Sequence, residues 1–300
     1  MAVTSLLSKI ILFALTTYAE NCFNSIIGFG DSLTDTGNGF HFVSAYNPPP
    51  YFTLSPYGDT FFDRPTGRLS DGRLIIDFID YKRYLQTSLV LLGEIGGNDY
   101  NHAFLQGKTE AEVQPFVPKI VKTIGETINE LINLGAVTLV VPGNFPIGCS
   151  ATYLTHFAST NEEDYDSTTG CIKWLNRFAQ YHNDLLQTEL SRIRELHPET
   201  TIIYGDYYNA AMNMYRSPEI YGFTGGALKA CCGGGGLYNF NFTVQCGHPS
   251  SVRCVDPSSY MNWDGMHFTE VAAKWIAKSV LTHVGTICDR PSSHAGVYDH

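Results

Sequence analysis

Ser25-Ile26-Ile27-Gly28-Phe29-Gly30-Asp31-Ser32-Leu33-Thr34-Asp35-Thr36-Gly37-Asn38 passes from an apolar, β-branched run into a polar turn punctuated by glycines. The first five residues read as a buried strand. Ser32 then falls just past that strand's carboxyl end, among glycines that let other groups approach closely. Three further runs of the same texture follow: Thr87 to Leu92, Val137 to Val141 and Thr201 to Tyr204. Helical patterns separate them. Glu110 to Leu134 carries Val113, Phe116, Val117, Ile120, Ile124, Ile128 and Leu131 on one stripe, with Gly135 as its stop. Trp174 to Leu196 reads likewise and ends before Pro198, and Thr269 to Val284 sets Val271, Trp275, Ile276 and Val280 on one face. Strands alternating with helices of this length predict an α/β sandwich around a mainly parallel sheet, with any site beyond the carboxyl ends of the strands.

The composition agrees with a folded chain. Of 300 residues, 44% are hydrophobic and 16% charged, which supplies a sizeable core and lies far from the disordered class. The formal net charge of −10 disfavours a protein that tracks nucleic-acid phosphates. No linker forces a division into two domains, so 20–300 is read as one domain.

Residues 1–19 have the shape of a secretory signal peptide: a weakly basic start with Lys9, the apolar run Ile10 to Leu15, then Thr16-Thr17-Tyr18-Ala19. That run is far short of the ~20 apolar residues that span a bilayer, so the expectation is a secreted, extracellular protein without membrane insertion. Eight cysteines follow (Cys22, Cys149, Cys171, Cys231, Cys232, Cys246, Cys254 and Cys288), an even count that reads first as disulfides in an oxidising compartment. The crowded set Cys231, Cys232, Cys246, His248 and Cys254 could alternatively hold zinc, although it lacks paired C-x-x-C spacing. Ser217 to Tyr260 changes texture to Gly, Cys, Asn and Pro and is expected to be a long disulfide-pinned loop. Its run Gly233-Gly234-Gly235-Gly236 has no following Lys-Ser/Thr and is not a phosphate loop. Asn241-Phe242-Thr243 is an acceptor sequon for N-glycosylation.

Three elements can do chemistry. Ser32 stands where a nucleophile belongs; from the local pattern alone the alternative, that Ser32 or Thr34 merely caps the next helix, is favoured. Trp263-Asp264-Gly265-Met266-His267-Phe268 sets an acid three residues before a histidine. In a turn of that length Asp264 can accept from one ring nitrogen while the other faces outward, the tautomer a general base needs; a plain loop histidine is the alternative. Gly93-Glu94-Ile95-Gly96-Gly97-Asn98-Asp99 follows the second strand and would hang the Asn98 amide over the same sheet edge, where it could donate to an oxyanion or simply complete a turn.

Together Phe29 to Asn38, Gly93 to Tyr100 and Asp264-Gly265-Met266-His267 resemble the blocks of the plant GDSL esterase/lipase family within the SGNH hydrolases. Val141 to Cys149, Tyr181-His182-Asn183 and Ala230-Cys231-Cys232-Gly233 extend the resemblance over nearly the whole chain. It implies a flavodoxin-like three-layer α/β/α sandwich that hydrolyses carboxylic esters through an acyl-enzyme and takes no cofactor. On the matching positions Ser32 is the nucleophile, His267 its base and Asp264 the residue orienting that base, while Asn98 and the Ser32 backbone N–H belong to the oxyanion hole. Short-chain acyl esters, lipids and acetylated polysaccharides all stay open as substrates. The family carries a further block, with a glycine oxyanion donor, that this sequence lacks: Gly67 to Ile79 matches, then Asp80 joins Tyr81 and the next strand begins almost at once. The missing segment is expected to remove that donor; if it also included a central strand, a buried edge would be opened, which could prevent folding altogether. The alternative that follows is a weakened or silent secreted binding protein that retains the pocket.

Overall fold

The structure is a computed structural model and describes residues 25–37, 40, 49–78 and 88–288. The expected signal peptide, Cys22 and the junction near 80–81 lie outside the described residues. Four strands form one parallel sheet in the order β1 (Ser25–Phe29), β2 (Ser88–Leu92), β3 (Thr138–Pro142) and β4 (Thr201–Gly205). Each expected run became a strand with its limits moved by at most one residue at either end. Ile27 pairs with Val90, Leu91 with Val140 and Val140 with Ile203, so the strands are consecutive neighbours with no gap between them.

The sheet is covered on both faces, as the unbroken apolar runs require. β2 shows this directly, because alternate side chains of a strand point to opposite faces. Leu89 and Leu91 pack with Val140 against α6 (Tyr207–Arg216) and α7 (Glu270–Cys288), through Tyr207, Ala211, Ala273 and Ile276. Val90 and Leu92 face the other way with Leu139 and Val141. There they meet α1 (Gly97–Leu105), α3 (Val117–Asn133) and α5 (Lys173–Leu196) through Phe104, Ile128, Phe178 and Leu186. The result is a three-layer α/β/α sandwich.

Two expectations were refined. The stripe over Glu110 to Leu134 is not one helix: α2 (Glu110–Val113) gives way to a 3-10 turn over Gln114–Phe116 before α3 begins. Pro115 and Pro118 lack the N–H an uninterrupted helix would use, so the chain restarts there with proline in the first turn. Gly135 closes α3 as expected, in the left-handed region at φ +102°, with Ala136 N donating to the Leu131 carbonyl. The segment from Ser217 to Tyr260 is pinned by Cys231–Cys254 and Cys232–Cys246. It also carries β5 (Gly226–Ala230), β6 (Cys232–Gly233) and β7 (Val252–Arg253), and β5 pairs in parallel with β8 (Tyr260–Asn262). A third disulfide, Cys149–Cys171, sits at the foot of the short helix α4 (Ala151–His156). Disulfide formation by Cys231, Cys232, Cys246 and Cys254 leaves no thiolate set for zinc there.

Candidate active site

The loops leaving β1, β2 and β3 and the turn before α7 meet at one end of the sheet. After β1, the Asp31 carbonyl accepts from Thr34 N at 3.0 Å and Asp35 N at 2.9 Å, while Asp31 Oδ1 accepts from Leu33 N at 3.0 Å. These bonds coil the chain around Ser32 and point its hydroxyl out of the turn. Glycine is needed at 30 because a Cβ there would meet Thr34 and the backbone of Gly93, where the ends of β1 and β2 converge.

The turn before α7 is drawn tight by Trp263 N to the His267 carbonyl at 2.7 Å and Thr152 N to the Gly265 carbonyl at 3.1 Å. Gly265 has φ +108°, and a side chain there would also strike Phe240. This geometry brings Asp264 under its own neighbour: His267 Nδ1 lies 2.9 Å from both Asp264 oxygens. His267 Nε2 lies 3.0 Å from Ser32 Oγ. With Nδ1–H donating to the carboxylate, Nε2 is left as the acceptor for the serine proton.

Asp264 is the most heavily bonded group of the site. Its Oδ1 also accepts from Met266 N at 3.1 Å and His267 N at 3.0 Å, and its Oδ2 accepts from the Tyr57 hydroxyl at 2.9 Å. Burial alone would raise its pKa, but the His267 charge and these hydrogen bonds more than offset that and hold it down at about 2. For His267 burial works downward, and the Asp264 charge, its hydrogen bond and the more distant Asp31 overcome it, so the imidazole titrates above its ordinary value. Burial and the Asp264 charge together push the Tyr57 phenol well up, keeping it a donor. Tyr57 is 5% exposed and is fixed edge-on against the fully buried Trp263, with ring centroids 6.0 Å apart.

Asn98 lies in the first turn of α1, which Gly96 enters at φ +100°. It lines the same cavity as Ser32 and His267, and its Nδ2 donates to Asp31 Oδ2 at 3.1 Å. Below it Glu94 is 4% exposed and takes the Gly97 N–H. Burial, reinforced by Asp31 and Asp99, pushes its carboxyl well up, toward the neutral acid. The four expected site residues Ser32, Asn98, Asp264 and His267 are therefore brought together. Asn241 is elsewhere, exposed, with its Oδ1 accepting from Thr243 N and Oγ1. Sequence reasoning missed Tyr57, because nothing in its surroundings points to a residue 207 positions away. It also missed Glu94, whose place two residues past a buried strand and just before a glycine turn was the available signal.

The family model described as GDSL-like Lipase/Acylhydrolase matches residues 82–280, which include Asn98, Asp264 and His267. A GDSL esterase/lipase of Arabidopsis thaliana (At2g27360) is 40% identical over 346 aligned positions, covering 90% of this chain and 88% of its own. A sinapine esterase of Brassica napus is 40% identical, covering 86% of this chain and 85% of its own. The first alignment is longer than the 300 residues of this chain, so that relative carries residues with no counterpart here. With the serine, histidine and carboxylate in line at the end of a parallel sheet and relatives of this kind over most of its length, the chain belongs to the GDSL-like lipase/acylhydrolase family and is a carboxylic ester hydrolase.

Proposed function

We propose that the protein is a secreted serine esterase that works through an acyl-enzyme on Ser32. The observation that carries this reading is the continuous relay Ser32 Oγ to His267 Nε2, His267 Nδ1 to Asp264, and Asp264 to Tyr57. His267 takes the serine proton as Oγ bonds to the ester carbonyl carbon. The resulting imidazolium is stabilised by Asp264. It returns that proton to the alcohol oxygen as the carbon–oxygen bond breaks; water, deprotonated by the same nitrogen, then attacks the acyl carbon, and the proton passes to Ser32 Oγ as the acid leaves. Asn98 Nδ2 and the Ser32 backbone N–H serve the oxyanion. Ser32→Ala is expected to abolish turnover of a short-chain ester while leaving the melting transition intact; unchanged activity in that variant overturns the reading.

Secretion belongs to the same proposal. It is supported by residues 1–19, by three disulfides among the described residues and by an exposed sequon at Asn241, and glycosidase treatment of protein recovered from culture medium tests it through a mass shift lost in Asn241→Gln.

A second reading has its own observation. One of the two Asn98 Nδ2 hydrogens is already given to the Asp31 carboxylate, and the family's glycine donor falls in a stretch absent from this sequence, consistent with the family match beginning at residue 82. On that reading the pocket binds esters with weak turnover or none. Removing one oxyanion donor typically lowers kcat by ~10²–10³, which leaves a slow enzyme rather than a dead one. Ester binding to a folded protein that shows no burst of alcohol on mixing would favour the binder.

A further inference from the structure

Two cavities meet at His267. The smaller, about 220 Å³, is lined by Ser32, Asn98 and His267 together with Leu33, Ile147 and Phe268. The larger, about 440 Å³, borders Asp264, Met266 and His267 but is touched by neither Ser32 nor Asn98. Its aromatic walls are Tyr51, Phe52, Tyr57, Phe240 and Phe242, beside Leu69, Leu105 and Gln245. We propose that this second chamber receives the leaving alcohol, and that it selects esters whose alcohol carries a neutral, planar aromatic ring. The proposal rests on the esterase reading and adds the substrate class to it.

The assignment of halves follows from where the proton goes. The acyl carbon bonds to Ser32 Oγ with its carbonyl oxygen toward Asn98, so the acyl group occupies the cavity those two residues line. The alcohol oxygen must reach His267 Nε2 to take the proton as its bond to the acyl carbon breaks. The rest of the alcohol therefore lies on the His267 side, where the larger chamber opens.

The choice of ring follows from the walls. Phe240 and Phe242 stand edge to face with centroids 4.9 Å apart, and a planar guest can continue that arrangement, whereas a flexible alkyl chain would give up rotamer freedom to fill the same space. Among the described residues no lysine or arginine lines the chamber, and the one carboxylate there is committed to His267 and Tyr57, so an anionic alcohol meets no cation among them. Thr152 adds an independent sign. The residue borders the chamber, and its buried hydroxyl has no hydrogen-bond partner among the described residues, a lack that a polar substituent reaching it from the ring would relieve. The walls come from two loops held in place: the Cys232–Cys246 bridge fixes the segment bearing Phe240 and Phe242, and Tyr51 packs edge-on against His248 at 5.8 Å.

The test uses matched esters. Benzyl acetate and butyl acetate share an acyl group and release primary alcohols of similar acidity, while methyl phenylacetate moves the ring to the acyl side. Wild-type protein is expected to prefer benzyl over butyl acetate by at least about tenfold in kcat/KM, and methyl phenylacetate should show no such gain. In Phe242→Ala and Tyr51→Ala, both changed at partly exposed rings, the benzyl-to-butyl ratio is expected to fall toward one. Equal rates on the two acetates, a preference that follows the ring to the acyl side, or a ratio unmoved by both variants overturns the proposal. A Ser32→Ala melt keeps the chamber testable without turnover: benzyl acetate should raise Tm more than butyl acetate, and equal shifts also overturn it. Failure of the esterase reading is separate and shows as wild-type protein that hydrolyses none of the three esters.

Discussion

His267 can accept the Ser32 proton only when it is neutral, and Asp264 and Asp31 raise its affinity for a proton above that of an ordinary histidine. The rate must then fall as pH drops through that raised value, so kcat/KM is expected to show an acidic limb above pH ~6.5, the unperturbed histidine value. A limb at or below that pH contradicts the geometry. Asp264→Asn removes the acceptor that fixes the tautomer, and kcat should fall on the order of 10⁴-fold. Tyr57→Phe is a finer probe. Losing the phenol leaves the carboxylate less stabilised and more able to hold an imidazolium, so the acidic limb should move further up in pH while kcat drops several-fold. An unmoved limb would reduce Tyr57 to a packing residue. Ser32, Asp264, His267 and Asn98 were legible because each follows a recognisable strand or precedes a recognisable helix. Tyr57, Asp31 as the partner of Asn98, and Glu94 beneath both act through contacts that only the fold creates.

At the scale of elements, the turn from Trp263 to Phe268 does more than join β8 to α7. Gly265 permits both the left-handed backbone and the approach of Phe240, so Gly265→Ala is expected to destabilise by roughly 1–3 kcal/mol and to lower activity further by displacing Asp264 from His267. Gly107→Ala is the control. It shares a positive φ of +86° but has open space around it, and it should cost only about 1 kcal/mol with the relay intact. Equal losses of activity in both variants would mean that the 263–268 turn does not set the relay. The parallel strands were readable because burial on both faces demands continuous apolar runs. The break between α2 and α3 follows from Pro115 and Pro118, which the apolar stripe alone hides. The pairing of β5 with β8 was not readable, since Gly226–Ala230 and Tyr260–Asn262 are short and their register shifts between Gly226 and Ala230.

Over the whole molecule, the described sheet runs unbroken from β1 to β4, with β1 at its end. A strand absent from this chain would therefore have lain outside β1 rather than between paired neighbours, and its loss leaves the four strands able to hold the relay. The three bridges among the described residues close loops of 14 to 23 residues and are expected to contribute about 3 kcal/mol each, so reduction should lower Tm sharply and disturb the Phe240–Phe242 wall as it does so. A melt indifferent to reductant would show that the loops hold themselves. The central claim is that this chain carries an activated serine. It is tested most directly by treating the purified protein with a fluorophosphonate and mapping the adduct by mass spectrometry, beside a thermal melt and a Ser32→Ala control. The account predicts a single adduct on Ser32, absent from the variant. A cooperative melt with Ser32 unlabelled would contradict it.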